Sequence, residues 1–93
     1  MIKSFRAKKT EKIWHGKRKR RLPQDIQQIV RRKLRMINNA RSLNDLRVPL
    51  ANRLEALRGK RAGQHSVRIN DQWRICFRWN EGDALNVEIA DYH

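Results

Sequence analysis

Apolar side chains along this chain recur at two different periods, and the change falls near Pro49. Leu22, Ile26, Ile29, Val30, Leu34 and Ile37 return at three- and four-residue steps, which lines one face of an α-helix. Pro23 suits the first helical position and Asp25 the positive end of the helix dipole, so the helix is expected to run to about Asn38 or Asn39. Its other face carries Arg31, Arg32, Lys33 and Arg35. Upstream, Met1 to Arg6 alternates apolar with polar side chains, as a half-buried strand does. Lys8 to His15 predicts a short helix anchored by Ile13 and Trp14 and ended by Gly16. Lys17 to Arg21 is too charged to pack and reads as a solvated loop. Ser42 to Asp45 has the shape of a capping box with Asp in place of Glu, predicting a brief helical turn that stops before Pro49.

Beyond Pro49 the period is two. Arg53 to Leu57 reads as a strand ended by Gly59, Ser66 to Ile69 as a second, and Asn70-Asp71-Gln72 as a turn. Trp73, Ile75, Phe77 and Trp79 then share one strand face, with Arg74, Cys76 and Arg78 on the other. Asn80 to Asp83 signals a hairpin, after which Leu85, Val87 and Ile89 continue the apolar face. The expected fold is α+β: an N-terminal strand and two helices packed on one face of a small antiparallel sheet. The opposite face, bearing Glu55, Arg68 or Arg74, and Arg78, is left polar and open to a ligand.

Ninety-three residues, 39% hydrophobic and 34% charged, make one folded domain spanning 1–93 rather than a disordered chain or two cores. The formal net charge of +14 points to a polyanionic partner, and it is uneven. Sixteen of the Lys and Arg residues precede Val48 and face only Glu11, Asp25 and Asp45, whereas the remaining seven are nearly balanced by six acids. Cys76 stands alone, so no internal disulfide forms, and no Cys/His cluster has metal-ligand spacing. The N-terminus carries no apolar signal run and no stretch suits a bilayer span. A soluble cytoplasmic protein without metal, cofactor or membrane partner is expected.

The last strand ends on Asp91-Tyr92-His93: an acid, a phenol and an imidazole that titrates near neutral pH. Cutting RNA without a metal requires a base for the ribose 2′-proton, cations for the phosphate and an acid for the leaving oxygen. His93 suits acid or base work, with Tyr92, Asp91 and Glu55 able to orient, stack or share proton transfer. Arg58, Arg68 and Arg74 offer planar forks to a phosphate. Glu55 fits a cross-strand ion pair as well as a base, and His15 and His65, alone near turns, read as surface residues.

Asn52 to Gly59, Arg61 to Phe77 with its Asn-Asp-Gln-Trp-Arg, the ending Val87 to His93, and the start Met1 to Phe5 resemble the HigB-type toxins of the RelE/ParE superfamily, over nearly the whole chain. That resemblance implies a RelE-like microbial RNase fold and a ribosome-dependent endoribonuclease that cuts messenger RNA in the ribosomal A site. It further implies a HigA-like helix-turn-helix antitoxin, with operator DNA bound only through the complex of the two. The family's site carries over at Asp91, Tyr92 and His93. Glu55 stands where relatives have a His and Arg58 where they have a Lys, so a phosphate-binding cation is kept while a carboxylate replaces an imidazole.

The reading is therefore an mRNA interferase with His93, Tyr92, Asp91, Glu55, Arg58 and Arg74 at its centre. Arg53, Lys60 and Arg68 lie beside it on RNA, and Lys17, Arg18, Lys19, Arg20, Arg21, Arg31, Arg32, Lys33 and Arg35 dock on ribosomal RNA. Two rivals use the same features: a basic RNA- or ribosome-binding module without chemistry, and a ParE-like poison of DNA gyrase.

Overall fold

A computed structural model describes residues 1–17 and 23–91. Arg18 to Arg21 of the basic loop, Leu22, and the terminal Tyr92 and His93 lie outside the described residues. The chain forms α1 (Lys8–Trp14), α2 (Gln24–Asn39), 3-10 turns at Leu43–Arg47, Leu50–Asn52 and Gly59–Arg61, and strands β1 (Glu55–Ala56), β2 (Gln64–Arg68), β3 (Trp73–Asn80) and β4 (Asp83–Asp91). The four strands pair in sequence order, antiparallel throughout, as a meander.

The period-3.6 stripe of α2 does what its spacing demands. Val30, Leu34 and Ile37 are fully buried and join Ile13 of α1 against Val67, Ile75, Phe77 and Val87 of the sheet. Burial of each such side chain contributes about 1.5–3 kcal/mol of hydrophobic stabilisation. Asp45 accepts the Arg41 and Ser42 N–H groups at 2.8 and 3.3 Å, which starts the turn that the capping-box pattern predicts. Both helices thus cover one face of the sheet; neither covers the other, on which Ser66, Cys76 and Ala90 are nonetheless buried.

Four expectations need correction. Met1 to Arg6 is not a strand: it meets β4 through two isolated parallel bridges, Ile2 with Ala84 and Phe5 with Val87. The ladder breaks between them because Asn86, left-handed at φ 54°, donates its N–H to the Ser4 hydroxyl at 2.8 Å instead of to a carbonyl. That residue belongs to a bulge, where Phe77 alone spans the gap that Asn86 and Val87 fill between the pairs Arg78–Leu85 and Cys76–Glu88. The bulge moves Leu85 out of the core to face Arg78, and Ala84 takes the buried position. The strand expected over Arg53 to Leu57 shrinks to Glu55–Ala56, because Arg53 is left-handed and ends a 3-10 turn. His65 is half-buried, stacked on Phe77 with ring centroids 6.4 Å apart, since its position opposite Phe77 turns it toward the core.

Candidate functional site on the open sheet face

Register decides which side chains meet on the uncovered face. Glu55 lies opposite Ser66, Ser66 opposite Cys76 and Cys76 opposite Glu88, while the next rung holds Arg68, Arg74 and Ala90. Arg74 is the best held of these cations, with a side chain only 12% exposed. Its Nε donates to Ser66 Oγ at 2.7 Å and its Nη2 to the Arg53 carbonyl at 2.6 Å. The Ser66 carbonyl lies 3.5 Å from the same Nη2. The Arg53 carbonyl reaches it because Arg53 has φ 43° and ψ 57°, a left-handed conformation that costs a non-glycine residue about 1 kcal/mol. A planar fork fixed along one edge keeps its remaining N–H groups for an anion such as a phosphate.

Glu55 approaches Arg74 Nη2 at 3.9 Å with its side chain 57% exposed, an ion pair at the outer limit that leaves the carboxylate in water. Arg68 pairs with Asp71. Arg58, Lys60 and Arg53 are exposed. Sequence reasoning missed two features of this face. Glu88, largely buried, accepts from Arg61 Nη1 at 2.7 Å and faces Arg6 Nε at 3.5 Å, so one carboxylate on β4 offsets part of the charge of two arginines. Its alternation with Val87 and Ile89 carried that signal. Gly63, at φ 89°, leaves room for Arg78: a Cβ there would stand 2.8 Å from Arg78 Nη1.

The end of β4 comes alongside this cluster, since Ala90 pairs with Arg74. Asp91 pairs with Trp73, whose side chain packs toward the helices, so Asp91 leaves the sheet on the side opposite Arg74; its Oδ2 accepts from Gln72 Nε2 at 3.2 Å.

On α2, Arg32 and Arg35 are exposed, and Arg31 Nε donates to the Ile13 carbonyl at 3.2 Å. Lys33 is not part of this basic face. It is buried, donating its Nζ to Asn52 Oδ1 at 2.5 Å, because position 33 falls within the apolar stripe between Val30 and Ile37. Its pKa is lowered, first by loss of water and then by repulsion from Arg32 and Arg68. Lys8, Glu11, Lys12, His15 and Lys17 line a shallow cleft of about 300 Å³ along α1. No helix among the described residues is long and apolar enough to cross a membrane.

A family model described as the RelE-like toxin of type II toxin-antitoxin system HigB matches residues 3–93. Toxin HigB-1 of Vibrio cholerae serotype O1 is 39% identical over 90 residues, covering 96% of this chain and 95% of that protein. Endoribonuclease HigB of Proteus vulgaris is 33% identical over 94 residues, covering 100% of both. In fold, the chain resembles YafQ of E. coli with a TM-score of 0.62 at 14% identity, over 99% of this chain and 92% of that one. It likewise resembles a chain of the YoeB-YefM complex from Staphylococcus aureus with a TM-score of 0.63 at 15% identity, over 100% of this chain and 98% of that one.

Proposed function

The chain belongs to the HigB-like family of RelE-like toxins of type II toxin-antitoxin systems, and on that premise we propose that it is a cytoplasmic, ribosome-dependent endoribonuclease. It cuts messenger RNA, halts translation, and is held inactive by a HigA-like helix-turn-helix antitoxin through which alone it reaches operator DNA. The observation that carries this reading is the Arg74 guanidinium, fixed on an open cationic sheet face beside the strand that leads into the terminal Tyr92 and His93.

The chemistry follows from the groups at hand. The ribose 2′-oxygen loses its proton to a base and bonds to phosphorus, while the bond from phosphorus to the 5′-oxygen breaks and an acid protonates the departing oxygen. His93 serves as acid or base and Tyr92 stacks on or bonds to the scissile nucleotide, whereas Asp91, which leaves the sheet on the side opposite Arg74, does not face the phosphate. Glu55, solvated and near Arg74, is a second proton-transfer group. Arg74, with Arg58 and Arg68, stabilises the charge gathered on the phosphate oxygens. Arg53 and Lys60 hold the flanking RNA, and Lys17 to Arg21 with Arg31, Arg32 and Arg35 dock on ribosomal RNA.

Primer extension across a transcript after brief induction, with and without a co-expressed antitoxin, tests the reading. New 5′ ends that vanish when the antitoxin is present are expected. Intact messages accompanied by altered DNA supercoiling would instead identify a gyrase poison, and intact messages alone a binding module.

A further inference from the structure

Arg74 owes part of its orientation to a backbone carbonyl that faces it only because Arg53 is left-handed. The turn leading into Arg53 is tied down by one side chain. Asn52, fully buried, accepts from Lys33 Nζ on its Oδ1 at 2.5 Å and donates its Nδ2 to the Leu46 carbonyl at 3.2 Å, with Met36 Sδ 3.8 Å away. Both polar ends of the amide are engaged, one by α2 and one by the preceding 3-10 turn. The Asn52 and Arg53 N–H groups close the next turn on the Pro49 and Leu50 carbonyls, each at 3.0 Å. Returning Arg53 to an ordinary φ would swing its carbonyl away from Arg74 and pull against the pinned Asn52.

The choice of lysine at position 33 is informative. Its neighbours on the same stripe, Val30, Leu34 and Ile37, are apolar, and a buried ammonium is unfavourable there unless its bond accomplishes something that packing does not.

We propose that Lys33 and Asn52 are positioning residues: their bond fixes the turn that aims the Arg53 carbonyl at Arg74, and so sets where the Arg74 guanidinium meets a phosphate. The kinetic consequence rests on the reading of Arg74 as a phosphate-binding group, whereas the geometric one stands without it.

The test compares Lys33→Met and Asn52→Ala, each alone and combined with Arg74→Ala, by steady-state cleavage on message-loaded ribosomes. Nitrogen NMR of labelled arginine runs alongside, because a clamped guanidinium gives separate Nη1 and Nη2 signals and a freely turning one gives a merged signal. Each single variant should lower kcat about tenfold to a hundredfold with KM little changed, the size of effect that follows from misplacing a reacting contact. Neither should lower it further once Arg74 is alanine. The separate Arg74 signals of the wild type should merge in both. Wild-type Arg74 signals in either folded variant, or losses that add to that of Arg74→Ala, would overturn the proposal. Wild-type cleavage by Arg74→Ala would instead remove the phosphate role of Arg74, with the NMR signals still deciding the geometric claim.

Discussion

Arg74 can serve a phosphate because its guanidinium is oriented before any substrate arrives, by the Ser66 hydroxyl and the Arg53 carbonyl. Lysine at this position keeps the charge but has no fork to lie across both acceptors, so Arg74→Lys should lose at least about tenfold in kcat while melting within a few degrees of wild type. Equal kcat for the two proteins would show that charge alone is required. Lys33 supplies a second test through pH. Its proton is held less tightly in the folded protein than in the unfolded chain, because burial removes water and Arg32 and Arg68 repel it. The unfolded state therefore binds more protons between the lowered pKa and the ordinary 10.5, and stability must rise with pH across that window. In urea melts the stability difference between wild type and Lys33→Met should shift toward wild type as pH is raised from neutral to 10.5. A difference that stays constant would contradict the assignment. Arg74 and Glu55 were legible as open-face residues from the period of two alone. Lys33 was misread because charge outweighed its place between Val30 and Ile37, and its partner Asn52 comes from a turn that no periodicity announces.

The elements with one uninterrupted period were the most legible. The stripe of α2 and the alternation of β3 named Val30, Leu34, Ile37, Ile75 and Phe77 as buried, since burial on one face is what produces such a period, but they missed Gln27, Lys33 and Cys76, which are buried too. Leu34→Ala should therefore cost about 2–5 kcal/mol in a denaturant melt, against a few tenths for Arg35→Ala on the exposed face of the same helix. Similar effects at both positions would contradict the packing described. Periodicity failed where the backbone departs from a regular element. The left-handed Asn86 shifts the face of β4 by one residue, which sends Leu85 out and Ala84 in, and the left-handed Arg53 cuts β1 to a pair of residues. Side-chain alternation carries no trace of a single residue crossing to positive φ when that residue is not glycine. The N-terminal segment failed for a related reason, as its backbone follows β4 only on either side of the bulge.

At the scale of the whole molecule, the charge of +14 is the dominant field, and most of it comes from the half that holds the helices. The open sheet face offsets part of its own charge: Glu88 takes up Arg61 and Arg6, and Asp71 takes up Arg68. On the proposed function, this division separates docking from chemistry. Replacing the exposed Arg32 and Arg35 by alanine should weaken ribosome binding and flatten its dependence on salt, by about one unit of log-log slope for each phosphate that is no longer neutralised, without changing the rate once bound. An unchanged salt slope would place the docking surface elsewhere. The central claim, that the cationic face around Arg74 cuts RNA, is tested most directly by single-turnover cleavage of a defined message on purified ribosomes, with saturating wild-type or Arg74→Ala protein. Discrete cleavage by the wild type is expected, with a rate at least about a hundredfold lower for the folded variant. Cleavage by Arg74→Ala at the wild-type rate would contradict it.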